Sequence, residues 1–442
     1  MRPPRRMSRP VLFDAVLFDL DGTLVATDRF WVQAARTGAR RAFEDLGIER
    51  ELPSRDEWLS MVGLEIDEGF RAVFSDLSES QRRTVREACD EEQYRLVEAG
   101  GAALMPGAAT LLPALREAGL AIGIASNCSR TYLEHMLSAL DLASMVDEAY
   151  CLDTPGITNK AEMIERLLTV FDTRSAIMVG DRLGDRDAAW RNGIPHVHCA
   201  FGFAGSTGEE VEAEATITDL GELQDKLASR ATTVAETLER IGFGEADDPR
   251  PAILGVSGDA ASGKSLFARD MARLLRSRGV HAVSVTLEAF ARSGAPGAPG
   301  GRGETGEVRY VEDWFDLERL DRELFDPWAR EAPLEVSAEA YLDRDAPALD
   351  GPVRVVVLEG PFLFEPRIHS RLTRTVHLDV PEDLRWRRLV GRGGASDAGG
   401  TRSGDAASLE AYRTRCDPHR LADVVLDASN PLAVPAHAPR GA

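Results

Sequence analysis

Short apolar runs that end in clusters of polar residues recur along the chain and alternate with patterns typical of helices. Buried parallel strands are nearly continuous hydrophobic runs, and a crossover, usually a helix, must separate one strand from the next. We therefore expect an α/β fold of parallel sheets covered by helices. The alternation occupies residues 11–228 and again 250–435, so the sequence predicts two domains of this kind.

The remaining segments are polar or rich in glycine. Residues 1–10 are basic and lead into no signal-peptide core, so we expect a loose tail there, with a second tail at 436–442. Segment 229–249 joins a helical pattern to a polar, proline-containing stretch and is the predicted linker. Two glycine-rich segments, 293–306 and 391–405, fall within the second domain as either mobile lids or plain surface insertions.

Composition narrows the class of function. The 442 residues carry a formal net charge of −21, which repels the phosphate backbone and disfavours a nucleic-acid partner. No apolar run reaches the roughly 18 residues needed to cross a bilayer. The five cysteines are odd in number and lack CxxC spacing, so we expect reduced thiols in a cytoplasmic protein.

Three apolar runs of the first domain end in residues suited to phosphate and metal chemistry. The residues at these ends are Asp19 and Asp21, Ser126 and Asn127, and Asp181 and Asp185. Because the carboxyl ends of parallel strands meet at one edge of a sheet, we expect these side chains to lie together. Clustered carboxylates repel one another unless a divalent cation lies among them, and oxygen ligands suit Mg²⁺.

Lys160 is one of three lysines in a chain with 52 lysines and arginines. Asn159 is a good N-cap and apolar residues follow at helical spacing, which predicts Lys160 in the first turn of a helix. The helix dipole disfavours a cation there by about 0.3–1 kcal/mol. A phosphate would remove that penalty, because the lysine and the helix end both attract it. The alternative is an exposed lysine at a tolerant position.

These motifs resemble, in order, the four motifs of the haloacid dehalogenase superfamily of phosphatases. The likeness is carried by DLDGTL at 19–24, a strand ending in serine, a lone lysine and GDRLGDRDAA at 180–189, and it extends to NGIPHVHCAFGF at 192–203, which resembles phosphoglycolate-phosphatase-like members. It implies a Rossmann-like core with a helical cap, here about 25–104, that closes over small substrates. The family's DGTLVD is replaced by DGTLVATD, so the hinge and the specificity contacts stay open.

The resemblance also implies roles in catalysis. Asp19 would attack phosphorus and form an aspartyl-phosphate, while Asp21 would protonate the leaving oxygen and later activate water. Ser126, Asn127 and Lys160 would hold the phosphoryl oxygens. The expected substrate is a small-molecule phosphomonoester.

The implied metal site uses the same edge of the sheet. Asp181, Asp19 and the backbone carbonyl of Asp21 would bind Mg²⁺. Asp185 would support either Lys160 or the coordination sphere of the metal.

The second domain opens with an apolar strand followed by the spacing GxxxxGKS, whose residues are Gly258, Asp259, Ala260, Ala261, Ser262, Gly263, Lys264 and Ser265. In this pattern the backbone amides wrap phosphates, Lys264 reaches the terminal ones and Ser265 binds Mg²⁺. A helical pattern follows and completes the strand, loop and helix of a P-loop. We therefore expect ATP to bind here.

From about 250 to 430 the chain resembles uridine kinases and their relatives. The matching segments are VTLEAFAR (285–292), EDWFDLERL (312–320), RVVVLEGPFLF (354–364), HLDVPEDLRWRRLVGR (377–392) and AYRTRCDPHRLADVVLD (411–427). The resemblance implies a kinase that phosphorylates a nucleoside-like or sugar-like hydroxyl acceptor. Glu288 would be its general base, Glu359 would help to bind the metal, and Arg388 and Arg392 would contact the ATP phosphates.

Three departures from the kinase pattern leave the acceptor open. Glu288 replaces an aspartate, Ala291 replaces the aromatic that packs on the nucleoside, and the lid reads GRGG without the usual Arg-Asp. The sequence therefore predicts a bifunctional phosphatase and kinase acting on different positions or metabolites, since opposed action on one hydroxyl would only hydrolyse ATP. The alternatives are a phosphatase regulated by a non-catalytic ATP-binding domain, and a polynucleotide kinase/phosphatase, which the acidic charge and the cap disfavour.

A few other residues allow two interpretations. His196 and His198 leave a predicted strand at i,i+2 spacing, which fits packing better than a metal site. Cys128 follows a polar cluster, but nothing near it in the sequence would lower its pKa. Trp314 and Tyr341 could line an acceptor pocket or pack in the core.

Overall fold

The computed structural model describes residues 11–243, 251–292, 311–342, 352–389 and 410–433. The chain divides into two compact units, Met1–Ala228 and Ser229–Ala442. Over these described residues each unit contains one sheet, and every pair of its strands is parallel. The predicted α/β class is therefore confirmed. Both predicted tails, Arg392 and the two glycine-rich segments lie outside the described residues.

The first unit is built on six strands in the order β3-β2-β1-β4-β5-β6. The strands are β1 (Ala15–Phe18), β2 (Ala121–Ser126), β3 (Glu148–Cys151), β4 (Ala176–Gly180), β5 (His196–Cys199) and β6 (Ala215–Ile217). The apolar runs of β1, β2 and β4 are almost wholly buried. Phe18 pairs with Ile124 on one side and Val179 on the other, so these three strands end at one edge.

Helices of the first unit fall into two groups. The first four helices after β1 form one group: α1 (Trp31–Leu46), α2 (Arg55–Ser60), α3 (Ile66–Val73) and α4 (Glu79–Glu98). The others are α5 (Ala108–Glu117), α6 (Arg130–Ala139), α7 (Lys160–Val170), α8 (Leu183–Arg191), α9 (Ala204–Thr207) and α10 (Leu223–Arg240), with 3₁₀ turns at Thr27–Arg29, Leu142–Ser144 and Leu220–Glu222. Helix α10 contains the boundary between the two units. We refer to α1–α4 as the cap.

The cap has its own aromatic core. Trp58 is fully buried and packs against the rings of Trp31, Phe70 and Phe74 with centroid distances of 6.0, 6.5 and 5.5 Å. Helix α2 begins with a capping box, in which Ser54 and Glu57 each bond the other's backbone amide, and α4 begins with the same device at Ser78. These caps satisfy amides that a helix start leaves without partners.

The second unit has five strands in the order β11-β10-β7-β9-β8. They are β7 (Ala252–Gly258), β8 (Ala282–Thr286), β9 (Val355–Gly360), β10 (Arg374–Asp379) and β11 (Val424–Asp427). The helices include α11 (Lys264–Ser277), α12 (Val311–Trp314), α13 (Leu317–Leu320), α14 (Asp326–Ala329), α15 (Pro366–His369) and α16 (Pro418–Leu421), with 3₁₀ turns at Leu287–Phe290 and Ala338–Ala340, a π turn at Asp321–Phe325, and further helical residues at 382–389 and 410–416. Strand β7 is the central strand of this sheet. It leads into the GxxxxGKS segment at 258–265, which we call the glycine-rich loop.

Trp314, which the sequence left between an acceptor pocket and the core, lies in the core of the second unit. Trp314 is 8% exposed and packs against Phe362 at a centroid distance of 5.7 Å, so it belongs to the core. Tyr341 is half-buried and packs on the same cluster. Over the residues that the structure describes, no helix has both the length and the apolar character that a bilayer crossing requires.

Helices α1 and α4 approach closely at Gly38. A Cβ at this position would lie 2.3 Å from the carbonyl oxygen of Ala88 and 2.6 Å from the Cα of Cys89. The thiol of Cys89 also donates to the carbonyl of Ala35, with a separation of 3.4 Å. Contact between the two helix backbones therefore depends on the absence of a side chain.

We expect Gly38→Ala to lower the free energy of unfolding by about 1–3 kcal/mol, because the two helices must separate. This loss opposes the gain in helix propensity, which is about 1 kcal/mol. Urea denaturation followed by circular dichroism measures the effect. Thr37→Ala, at an exposed neighbour, is the control and should change stability by less than about 0.5 kcal/mol. Unchanged stability of Gly38→Ala would contradict the close contact.

Candidate active site

Three buried carboxylates meet at the edge formed by β1 and β4. Asp19 and Asp181 directly follow these strands, and Asp185 lies in the first turn of α8. Carboxylate oxygens of the three residues lie within 4.8 Å of one another. The turn after Asp19 passes close to Asp181 at Gly22, which has φ +80° and where a Cβ would lie 2.6 Å from Asp181 Oδ2. Only glycine accommodates both the backbone angle and this approach.

Lys160 provides the positive charge of this cluster. Its Nζ donates to Asp19 Oδ1 at 2.7 Å and to Asp185 Oδ1 at 2.6 Å. As predicted, Asn159 caps α7 by accepting from the amide of Glu162 at 3.2 Å, and Lys160 is the first residue of that helix. The lysine is 7% exposed, so the alternative of an exposed lysine is wrong.

Burial and the single cation together decide which carboxyl keeps its proton. Burial raises the pKa of Asp19 to about 7, although Lys160 opposes the shift. Burial also raises the pKa of Asp181 well above its usual range, and the charge of Asp19 adds to the effect. Burial acts in the same direction on Asp185, but Lys160 outweighs it and the pKa of Asp185 is lowered. Asp185 is therefore the permanent partner of Lys160.

The donor set fits a divalent cation. Asp19 Oδ2 and Asp181 Oδ1 are buried and accept no hydrogen bond. Mg²⁺ prefers oxygen ligands, so it would bind these two carboxylate oxygens and neutralise the excess negative charge of the cluster. Asp185 instead bonds Lys160 and accepts from the backbone amide of Arg182 at 2.9 Å.

Asp21 is held by two hydroxyl groups that sequence reasoning missed. Thr27 Oγ1 and the phenolic oxygen of Tyr132 each donate to Asp21 Oδ1 at 2.5 Å. Burial raises the pKa of Asp21, and these hydrogen bonds oppose the rise. The two hydroxyl groups therefore fix the orientation of the Asp21 carboxylate. Thr27 lies in the segment VATD (25–28), which departs from the family pattern. That departure was the one feature of the sequence that could have pointed to Thr27.

Asn127 and Arg182 connect the core to the cap. Asn127 follows Ser126 at the end of β2, and its Nδ2 donates to the carbonyl of Gly63 at 3.0 Å. Arg182 donates to the neighbouring carbonyl of Val62 and forms an ion pair with Glu209 at 2.6 Å. The loop after α2 is thus fixed from two directions. The predicted role of Ser126 and Asn127 in holding phosphoryl oxygens stays a prediction.

A cavity of about 80 Å³ separates the cap from the core. Its core side includes Asp21, Ser126 and Cys128, and its cap side includes residues of α1 and α4. Burial raises the pKa of the Cys128 thiol well above its usual value, so Cys128 is not a ready nucleophile.

His196 is fully buried, and burial lowers its pKa to about 4, so this histidine is a packing residue as the sequence favoured.

The glycine-rich loop of the second unit joins β7 to α11. Ala261 has φ +60° and Gly263 has φ +88°. A Cβ on Gly258 would lie 2.4 Å from Ser262 Oγ. Lys264 begins α11 and is 7% exposed, so the predicted order of strand, loop, lysine and helix is present.

A buried acid lies beside this loop. Glu359 is the penultimate residue of β9, next to β7, and its side chain is fully buried. Burial raises its pKa, while the charge of Lys264 opposes the rise and nearby Glu288 adds to it. Glu288 itself is exposed, just after β8. The structure therefore brings Lys264, Glu359 and Glu288 into one region.

Arginines from the C-terminal part of the chain contact the loop. Arg388 Nη1 donates to the carbonyl of Ala261 at 3.3 Å and Nη2 to the carbonyl of Ser429 at 2.7 Å. Asp259 in the loop pairs with Arg385 at 3.3 Å and with Arg413. Positive charge is thus concentrated around the glycine-rich loop.

Known proteins are similar to this chain along its first unit. Residues 16–199 match the family model for haloacid dehalogenase-like hydrolase. The phosphoglycolate phosphatase of Agrobacterium fabrum is 27% identical over 241 residues, covering 52% of this chain and 99% of that protein. The phosphoglycolate phosphatase of Rhodospirillum rubrum is 29% identical over 230 residues, covering 48% and 90%. The crystal structure of CbbY from Rhodobacter sphaeroides in complex with phosphate shares 22% identity, covers 48% and 96%, and gives a TM-score of 0.40.

The first unit therefore contains a haloacid dehalogenase-like hydrolase domain, as its motifs, its strand ends and the family match agree. The matched residues end at 199. The kinase resemblance of the second unit stays a prediction.

Removing the buried cation tests the electrostatics of this site. In metal-free buffer we expect Lys160→Met to lower the free energy of unfolding by about 3–5 kcal/mol, because two carboxylates lose their buried partner. The loss should be larger at pH 8 than at pH 5, since the folded variant then has raised carboxyl pKa values and binds more protons than the unfolded chain. Denaturant titrations at both pH values measure it.

The matched control is Lys226→Met, which removes a partly exposed lysine outside the cluster and should cost less than about 1 kcal/mol at either pH. Equal losses for the two lysine variants would contradict the buried ion pairs of Lys160.

Proposed function

We propose that the first unit is a Mg²⁺-dependent phosphomonoester hydrolase. The observation that carries the proposal is the position of Lys160, whose ammonium group lies between Asp19 and Asp185 beside Asp181. A reactive carboxylate, a buried cation and a helix N-terminus at one point suit the binding and transfer of a phosphoryl group. The proteins named above as phosphoglycolate phosphatases, similar along this unit, support the assignment.

The proposed reaction has two displacements. A carboxylate oxygen of Asp19 attacks phosphorus, the bond from phosphorus to the ester oxygen breaks, and the alcohol leaves with a proton from Asp21. A water molecule then gives a proton to Asp21 and attacks the same phosphorus, which releases phosphate and restores Asp19. The raised pKa of Asp21 suits both roles, and Thr27 and Tyr132 fix its orientation.

The remaining residues position the substrate. Lys160, Ser126 and Asn127 would hold the phosphoryl oxygens, which would require Asn127 to exchange its bond to Gly63. Mg²⁺ bound by Asp19, Asp181 and the backbone carbonyl of Asp21 would neutralise charge on the phosphoryl group. Asp185 keeps Lys160 in place through its hydrogen bond.

We expect Asp19→Asn to reduce phosphate release by at least about 10³-fold, because an amide is not a competent nucleophile. Phosphate release from a panel of small phosphomonoesters, measured with Mg²⁺ present, tests this expectation. Asp187→Asn is the matched control, since Asp187 is exposed on α8 and, among the contacts described, pairs only with its neighbour Arg186. If Asp19→Asn hydrolyses esters at the wild-type rate, Asp19 is not the nucleophile.

We further propose that the second unit binds ATP and transfers its terminal phosphate to a small-molecule hydroxyl. The supporting observation is the central strand β7 followed by a loop whose lysine begins a helix beside the buried Glu359. Glu288 would accept the proton of the acceptor, while Ser265 and Glu359 would bind Mg²⁺ and Arg388 the phosphates. A regulatory ATP-binding domain without transferase activity is the second candidate, because Glu288 is exposed and departs from the kinase pattern.

We expect Lys264→Ala to weaken binding of Mg²⁺–ATP at least about tenfold, because it removes the charge that faces the terminal phosphates. Titration calorimetry on the full chain measures this, with Lys226→Ala as the matched lysine control. Equal ATP affinity of wild type and Lys264→Ala would contradict the proposed site. In the Asp19→Asn background, phosphorylated product that accumulates with ADP identifies a kinase, whereas ATP binding that only alters ester hydrolysis in the wild type identifies a regulatory domain.

A further inference from the structure

One face of helix α4 forms a wall of the cavity between cap and core. Arg86, Asp90, Gln93 and Tyr94 all line this cavity, and their spacing of four, three and one residues places them on one side of the helix. The opposite wall contains Asp21. The leaving alcohol of a substrate bound at Asp19 would therefore have to face this part of α4.

Arg86 is the one cationic side chain among the residues that line the cavity, and two carboxylates already engage it. Its Nη1 donates to Asp67 Oδ1 at 2.5 Å, and its Nε lies 3.6 Å from Asp90 Oδ2. A second anionic group on the substrate would thus meet a neutralised guanidinium and the nearby carboxylate of Asp90. The wall does not favour a carboxylate at this end of the substrate.

The same wall is rich in groups that bond hydroxyls. The carboxylate of Asp90 accepts hydrogen bonds, the amide of Gln93 donates and accepts, and the phenol of Tyr94 can do either. Burial raises the pKa of Asp90 to about 6, with Arg86 opposing the shift, so Asp90 is mainly an acceptor at pH 7.5. The lining also includes apolar residues that suit a carbon chain: Trp31, Met61, Val62, Leu64 and Ile66.

We infer that the leaving group is a short alcohol bearing further hydroxyl groups and no second anionic group, so that the first unit acts on small polyol or sugar phosphates. The inference rests on the proposed phosphatase function and assigns specificity to Asp90 and Gln93. The wall thus selects against phosphorylated hydroxy acids, although the similar proteins named above are phosphoglycolate phosphatases.

The experiment compares kcat/KM at pH 7.5 for glycerol 3-phosphate, 2-phosphoglycolate and O-phosphoethanolamine. We expect the wild type to prefer glycerol 3-phosphate over 2-phosphoglycolate at least tenfold. Asp90→Asn should reduce that preference at least tenfold, because it removes the repulsive carboxylate. Glu91→Gln, which alters the next residue of α4 on an exposed side chain paired with Arg41, should leave the preference unchanged.

Gln93→Leu supplies a second variant in case Asp90→Asn does not fold. It should lower kcat/KM for glycerol 3-phosphate at least fivefold and leave that for 2-phosphoglycolate within twofold. Preference of the wild type for 2-phosphoglycolate or for O-phosphoethanolamine overturns the inference, as does an unchanged ratio in folded Asp90→Asn or Gln93→Leu. These results leave the phosphatase assignment intact. Phosphate release no greater than that of Asp19→Asn for every ester overturns the proposed function and the inference together.

Discussion

The hydrogen bonds from Lys160 to Asp19 and Asp185 are the interaction on which the first unit depends. Three carboxylates and one ammonium group are buried at the end of β1 and β4, where water cannot screen them. A buried charge is costly unless it is paired, and one lysine cannot pair with three acids. The fold therefore holds Asp185 and Lys160 as a pair and leaves oxygens of Asp19 and Asp181 without partners. That deficit creates a site for a divalent cation and a phosphoryl group.

The second unit has a similar arrangement of a buried lysine and a buried acid, built from different residues. Lys264, like Lys160, is the first residue of a helix and is largely buried, and Glu359, like Asp19, lies at the end of a strand next to it. In both units the parallel sheet collects polar residues at the carboxyl edge while its apolar strands exclude water from them. A lysine at a helix start would be unfavourable in isolation. Lys160 is stabilised by its bonds to Asp19 and Asp185, and the charge of Lys264 acts on Glu359.

Much of this arrangement could be predicted from the sequence, because it depends on local patterns. The continuous apolar runs predicted β1, β2, β4 and β7. Because the carboxyl ends of parallel strands meet at one edge of a sheet, the sequence also predicted that Asp19 and Asp181 lie together. The N-cap at Asn159 placed Lys160 at the start of a helix. The contacts that could not be predicted join residues far apart in the chain, such as Tyr132 to Asp21 and Arg182 to Val62. No periodicity or motif encodes those pairings, since they depend on how elements distant in the chain pack: α6 beside the end of β1, and the cap on the core. The residues beyond the described ranges, including Arg392, stay predictions.

The most direct test of this account is calorimetric titration of the metal-free protein with Mg²⁺ in two buffers that differ in ionisation enthalpy, which gives the number of protons released. Asp19 has a pKa of about 7 without metal, and a cation binds only the deprotonated carboxylate. The account predicts binding that releases roughly half a proton or more at pH 7 and fewer at pH 9, and that is lost in Asp181→Asn. Binding without proton release, or equal binding by Asp181→Asn, would contradict it.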